Sequence, residues 1–247
     1  MSMDTESLEQ VLRSQPVWRG RRSQGKSWPV IATGFAELDA LLPGGGWPLG
    51  SVMEIGLPCW GAGELRLLLP AMAALAQAGR WIAWVAPPYQ PYAPGLIQAG
   101  IDLAYFLAVE AREGDIPWSL EKILRSGRCG MALAWPERLA DHQARRLQLA
   151  AEEGGALAVL FPLQTGGARH AALRLALRPA GEGLRVEILK CRGSLHRASL
   201  LLNPEGSFGR PSRPLAGRKE DPLLAKEGWR VAPGWSNGVD GCSGVRK

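Results

Sequence analysis

Three glycines in the first quarter of the chain have the spacing of a loop that holds phosphate. Gly56 follows an apolar run, and Gly61 and Gly63 come just before a predicted apolar helix at 64–78. A strand, a glycine-rich turn and a helix in this order form a phosphate-binding loop, because the loop amides and the helix N-terminus face the phosphates. The same glycines also fit plain turns, or a nest of amides that holds an anion weakly.

The side chains that nucleotide chemistry requires are missing from this loop. A phosphate-binding loop supplies a lysine to the phosphates and a Ser or Thr hydroxyl to the magnesium ion. In one alignment of the glycines these two positions hold Ala62 and Gly63, and in the other they hold Glu64 and Leu65. The second alignment places a carboxylate beside the phosphates. We therefore expect a nucleotide-binding fold whose site has been lost, with no cofactor.

The ends of two predicted strands also lack the residues of an ATPase. Such an enzyme needs one carboxylate to polarise the attacking water and another to hold magnesium. The first strand instead ends at Ala86 and Pro87, and the later one at Trp135 and Pro136. The three histidines lie in no nucleophile or metal motif, and the four cysteines are too far apart for a zinc site. The sequence predicts no catalytic residue, no metal site and no enzyme activity.

The pattern of elements predicts an α/β fold. Short apolar strands at 81–86, 129–135 and 156–161 alternate with helices at 118–126 and 137–153. Strands of this kind, separated by helices, are typical of a mostly parallel β-sheet flanked by helices. From residue 173 the apolar residues alternate with polar ones on both sides of a Gly-rich turn, which predicts a C-terminal β-hairpin.

Composition divides the chain into three parts. Residues 1–30 form a polar and basic arm, residues 31–203 can form one core, and residues 204–247 are rich in Gly, Pro and charge, which predicts a disordered tail. The net charge of +6 allows weak binding of single-stranded DNA, as a secondary property. No apolar run is long enough for a membrane span or a signal peptide, so we expect a cytoplasmic protein.

Two resemblances add to these observations. The pattern TG…LD.LLPGGGWP.G…EI, at 33–55, resembles the entry to the ATPase core of the RecA recombinase. Longer tracts resemble the ImuA family, and together they cover roughly residues 18–202. They are WRG at 18–20, GELRLLLPAMAALA at 63–76, GRWIAWVAPPYQPYAPGL at 79–96, RSGRCGMALAWP at 125–136 and RRLQLAAEEGGALAVLF at 145–161. That family accompanies the translesion DNA polymerases of the bacterial SOS response and is grouped with the cell-division inhibitor SulA.

The resemblance implies a function without catalysis. It implies a RecA-like adaptor in error-prone translesion synthesis, whose partners are an ImuB-like Y-family polymerase homologue, a DnaE2-like polymerase and, as a further candidate, RecA. Two alternatives stay open. One is a SulA-like cell-division inhibitor that blocks polymerisation of FtsZ, and the other is a RecA-type ATP-binding protein with an atypical phosphate loop.

Five residues are candidates for partner binding. Lys190 and Arg192 match, by the resemblance to RecA, two basic residues that reach toward a neighbour's nucleotide. Without a nucleotide they would meet an acidic partner surface, or they form a solvated strand end. Trp18, Trp47 and Trp60 fall in the arm or in predicted loops, and exposed aromatic residues are frequent anchors of interfaces.

Overall fold

The structure, a computed structural model, describes residues 29–163, 170–181, 183–193 and 197–203. The arm up to residue 28, with Trp18, and the tail at 204–247 lie outside the described residues. Within these ranges the helices are α1 (Ala36–Leu41), α2 (Glu64–Gln77), α3 (Ala93–Gln98), α4 (Ile116–Arg125) and α5 (Asp141–Gly154), with 3-10 turns at Leu103–Tyr105 and Glu113–Asp115.

The strands of the described ranges form a two-stranded ribbon and one main sheet. The ribbon pairs β1 (Val30–Ile31) with β2 (Trp47–Pro48). The main sheet contains β3 (Ser51–Gly56), β4 (Trp81–Val85), β5 (Phe106–Val109), β6 (Cys129–Ala134), β7 (Leu157–Leu160), β8 (Leu173–Ala180), β9 (Gly183–Cys191) and β10 (Ala198–Leu202).

The main sheet is mixed. Its strand order is β10-β9-β8-β3-β7-β6-β4-β5. The neighbours from β8 to β5 pair in parallel, whereas β9 is antiparallel to both β8 and β10. The predicted α/β architecture and the hairpin are thus confirmed, and the sheet has an antiparallel edge.

Both faces of the sheet are covered, which explains why the central strands are mostly apolar. In β3, Met53 and Ile55 join the core beneath α2, while Val52 joins the core beneath α4 and α5. Strands buried on both faces read as continuous apolar runs, because no face is left for water. No helix of the described residues is long and apolar enough to cross a membrane.

One predicted helix boundary is wrong. Helix α5 begins at Asp141, although the sequence pattern predicts a start at residue 137. The backbone amides of Glu137 and Arg138 donate to Oε1 of Glu113, at 2.8 and 3.4 Å. The side chain of Glu113 therefore holds this segment outside the helix, and a tertiary contact moves the helix start.

Candidate functional site

The glycine-rich loop lies between the end of β3 and the start of α2, as predicted. Gly61 has a φ of +81°, and Gly63, the N-cap residue of α2, has a φ of +100°. Residues other than glycine rarely adopt these angles, so both positions need glycine for backbone conformation. A Cβ at Gly61 would meet no heavy atom within 4 Å, and this shows that the requirement is conformational rather than one of space.

The carboxylate of Glu64 lies inside this loop. Its Oε1 accepts a hydrogen bond from the backbone N–H of Gly61 at 3.0 Å, and the residue is only 5% exposed. Its Oε2 is buried, and no donor among the described residues reaches it. Glu64 is also the first residue of α2, where the positive end of the helix dipole favours a negative charge. The loop thus holds a carboxylate at one of the two positions where a phosphate-binding loop would hold its lysine.

Aromatic side chains pack at the strand ends where an ATPase would place carboxylates. Trp84 of β4 contacts Trp135, which follows β6, in an edge-on arrangement with ring centroids 5.7 Å apart. Trp135 stacks on Phe161, after β7, at 5.1 Å, and Trp84 contacts Phe106 of β5 at 5.3 Å. These four rings belong to the buried core or pack against it. The cluster formed by these four rings is therefore apolar.

A group of charged residues lies on β3 and on the neighbouring hairpin. Oε1 of Glu54, in β3, is 3.4 Å from a guanidinium nitrogen of Arg174, in β8. Arg174 is paired across the hairpin with Lys190, and a guanidinium nitrogen of Arg192 lies 4.0 Å from a carboxylate oxygen of Glu152. Three adjacent strands, together with the residue that follows β9, thus bring three cations and one buried carboxylate together.

A β-bulge places Lys190 in this group. Arg174 pairs with Lys190, but the next residue of β8, Leu175, pairs with Ile188, so Leu189 is the extra residue. A bulge reverses the alternation of side chains, and Lys190 therefore lies on the opposite face of the sheet from Ile188. Partial burial, together with the positive charges of Arg174 and Arg192, lowers the pKa of Lys190, while Glu54 acts in the opposite direction.

The predicted partner-binding residues differ in how exposed they are. Lys190 and Arg192 are exposed and close to each other, and their role in partner binding stays a prediction. Trp60 lies in the loop and is half-buried against the core. Trp47 was expected in a loop, but it forms β2 opposite Ile31 and is 0% exposed, so the prediction needs correction for this residue. A side chain that the core encloses offers no surface to a partner.

Sequence reasoning missed Trp118. This side chain is 60% exposed on α4, and Nζ of Lys122 lies 5.9 Å from its ring centroid. The signal was available in the sequence, because Ile116, Leu120 and Leu124 follow each other at four-residue steps and are all buried. Residue 118 therefore falls on the solvent side of the helix.

Within the described residues, no group of three or more His, Cys, Asp or Glu side chains has the arrangement of a metal site. Burial raises the pKa of the Cys129 thiol to about 12 and that of the Cys191 thiol to about 11. A thiol with so high a pKa is a poor nucleophile at neutral pH.

Comparison with known proteins places the chain among relatives of two kinds. The family model described as cell division inhibitor SulA matches residues 62–158. The SulA protein of Edwardsiella piscicida is 30% identical over 127 residues, which are 50% of this chain and 74% of that protein. A crystal structure of SulA from Pseudomonas aeruginosa matches with 27% identity and a TM-score of 0.39, covering 45% of this chain and 96% of that one.

The match to ImuA proteins is longer. Protein ImuA of Caulobacter vibrioides is 30% identical over 210 residues. The alignment covers 73% of this chain and 86% of that protein. The chain belongs to the ImuA family.

Proposed function

We propose that this protein is a non-catalytic accessory protein of the SOS response that acts in error-prone translesion DNA synthesis. The observation that carries the proposal is the carboxylate of Glu64 bound inside the glycine-rich loop of a member of the ImuA family. A loop that holds its own carboxylate, next to strand ends filled by aromatic rings, is suited to a binding scaffold rather than to phosphate transfer. This arrangement supports a protein that works through its surface.

The fold that we propose for this scaffold is RecA-like. Its support is the order of elements around the loop, since β3 leads into the glycine-rich turn and α2 then packs on the sheet. The strands from β8 to β5 are parallel, as a nucleotide-binding sheet requires, and the hairpin extends it at one edge. Fold alone does not give function, so the partners must be argued from surfaces.

The proposed partners are an ImuB-like Y-family polymerase homologue, a DnaE2-like polymerase and, as a third candidate, RecA. The exposed pair Lys190 and Arg192 fits an acidic surface on one of them. Partial burial first, and then the positive charges of Arg174 and Arg192, lower the pKa of Lys190, and a partner's carboxylates would offset the repulsion between these cations. Trp118, exposed on the helix layer of the opposite face from α2, is a candidate aromatic anchor.

A quantitative binding experiment tests this function. The purified protein is titrated against the ImuB-like homologue, the DnaE2-like polymerase and RecA of its own host, with and without single-stranded DNA. We expect saturable binding to at least one protein partner. Binding to none of them by the well-folded protein would refute the adaptor function.

Charge-reversal variants then locate the interface. Replacing both Lys190 and Arg192 by Glu should weaken binding roughly tenfold or more if they face an acidic partner. The matched control replaces Arg178 and Arg185 by Glu, since these two basic residues pair with each other farther along the same hairpin. Equal losses in both double variants would indicate a general effect of charge and would exclude a docking role specific to Lys190 and Arg192.

The SulA matches favour a second candidate function, inhibition of cell division. The SulA family model covers the loop end, α2 and the strands up to β7. If this function applies, overproduction in undamaged cells should produce filaments, and the purified protein should reduce sedimentable FtsZ polymer. Normal division during overproduction, with FtsZ polymer unchanged, would eliminate this candidate.

A further inference from the structure

The carboxylate of Glu64 lies where the loop would bind an anion, and one oxygen accepts a hydrogen bond from an amide of the loop. It accepts the N–H of Gly61 at 3.0 Å, and it lies at the first turn of a 14-residue helix. Backbone amides of a glycine-rich turn and a helix N-terminus are the donors that bind phosphate oxygens in loops of this kind. In this chain one of these amides, that of Gly61, donates to a side chain that is covalently attached to the helix itself.

The burial of the carboxylate shows that this is more than a surface contact. Glu64 is 5% exposed, and its second oxygen is enclosed with no donor from the described residues. Burying an ionic oxygen without a partner is costly, so the carboxylate would turn outward to water if the loop did not attract it. The N-cap residue, Gly63, has no side chain to cap the helix, and the charge of Glu64 in the first turn is favoured by the positive end of the helix dipole.

We propose that Glu64 is an internal substitute for a phosphate group. Its carboxylate occupies the anion-binding position of the loop and keeps the loop closed to phosphate and phosphate esters. Shortening this side chain leaves the amide of Gly61 and the positive end of the α2 dipole without their anion, and creates a site for inorganic phosphate. This role of Glu64 is a property of the isolated protein and does not depend on the proposed partners.

The test is rescue of a Glu64→Ala variant by inorganic phosphate. The variant should be less stable than the wild type, and phosphate should restore part of that loss, measured as the midpoint of urea unfolding against sodium chloride of the same ionic strength. For a dissociation constant of about 1 mM, 10 mM phosphate raises the folding equilibrium constant roughly elevenfold. The wild type should show no such increase.

Asp141→Ala is the matched control. Asp141 is the first residue of α5, which also has 14 residues, and its side chain is exposed. Its removal deletes a first-turn carboxylate that is exposed rather than enclosed in a loop, so phosphate should not stabilise this variant. A phosphate effect in the wild type as large as in Glu64→Ala would show that the loop is open, and it would overturn the proposal. So would a folded Glu64→Ala variant that phosphate does not stabilise.

If Glu64→Ala does not fold, hydrogen exchange of the wild type tests whether the carboxylate of Glu64 occupies the loop. The amide of Gly61, an exposed residue, should exchange its hydrogen at least roughly tenfold more slowly than an unstructured amide, because the carboxylate binds it. Exchange at the rate of an unstructured peptide would show that the carboxylate does not occupy the loop.

Discussion

Replacing Glu54 by Gln should destabilise the protein strongly, because it removes the buried carboxylate of the group of charges around β3. The side chain of Glu54 is 4% exposed, and that of its partner Arg174 is 28% exposed, with the Nε of Arg174 buried and without an acceptor in the described part of the chain. The substitution therefore leaves a largely buried guanidinium without its counter-charge. It also removes an attraction that favours the charged form of Lys190.

The magnitude follows from this burial. Removing one partner of a buried ion pair costs about 3–5 kcal/mol, and the partial exposure of Arg174 favours the lower end, about 3 kcal/mol. For a chain of this length each kcal/mol lowers the melting temperature by roughly 2–4 °C, so we expect a decrease of roughly 6–12 °C. A total stability of about 5–15 kcal/mol would leave the variant folded.

The assay is a double-mutant cycle measured by urea unfolding. Wild type, Glu54→Gln, Arg174→Met and the double variant are compared, and the two single losses should exceed the double loss by about 2 kcal/mol. Glu37→Gln is the control, since Glu37 is an exposed carboxylate and its loss should change the stability by less than about 0.5 kcal/mol. A loss below about 1 kcal/mol for Glu54→Gln, or strictly additive losses, would refute the reasoning from the buried pair.

Three further predictions follow from packing and burial. Gly154→Ala should lower the free energy of unfolding in urea by about 3 kcal/mol, because its Cβ would lie 1.8 Å from the carbonyl oxygen of Leu124. Gly155→Ala, at φ +63° with no atom within 4 Å, should lower it by only about 1 kcal/mol. Equal losses would contradict the packing of α4 on α5. Trp47→Ala should lower the free energy of unfolding by about 3–5 kcal/mol, because Trp47 is buried, and Trp118→Ala by less than about 1 kcal/mol, because Trp118 is exposed. The reverse order would show that Trp118, and not Trp47, is the buried side chain. Burial raises the pKa of Cys129 from 9.0 to about 12, so above pH 9 the native thiol keeps its proton while the unfolded thiol ionises. The free energy of unfolding should therefore fall above pH 9 by about 1.4 kcal/mol per pH unit. Cys129→Val should remove that part of the pH dependence, and an unchanged pH dependence would show that Cys129 is not its source.

The sequence by itself determined the type and order of most elements. Strands such as β6 and β7 are buried on both faces, so their apolar character is continuous and visible without a structure. The sequence also determined that the loop has the glycines of a phosphate-binding turn and lacks its lysine, since both properties depend on residue type alone. The position of α2 followed from the same pattern.

The tertiary structure decided which residues meet. Trp47 is enclosed because β2 pairs with β1 and its side chain joins the main core, whereas its local sequence shows only a short turn-rich segment. Lys190 joins Arg174 because a bulge at Leu189 reverses the side-chain alternation of β9, which a regular period of two does not predict. Glu64 has its role because Gly61 and Gly63 turn the loop back over the start of α2. Burial, register and the direction of a backbone amide depend on contacts between distant or sharply turned segments, and the local pattern that defines a helix or a strand carries no record of them.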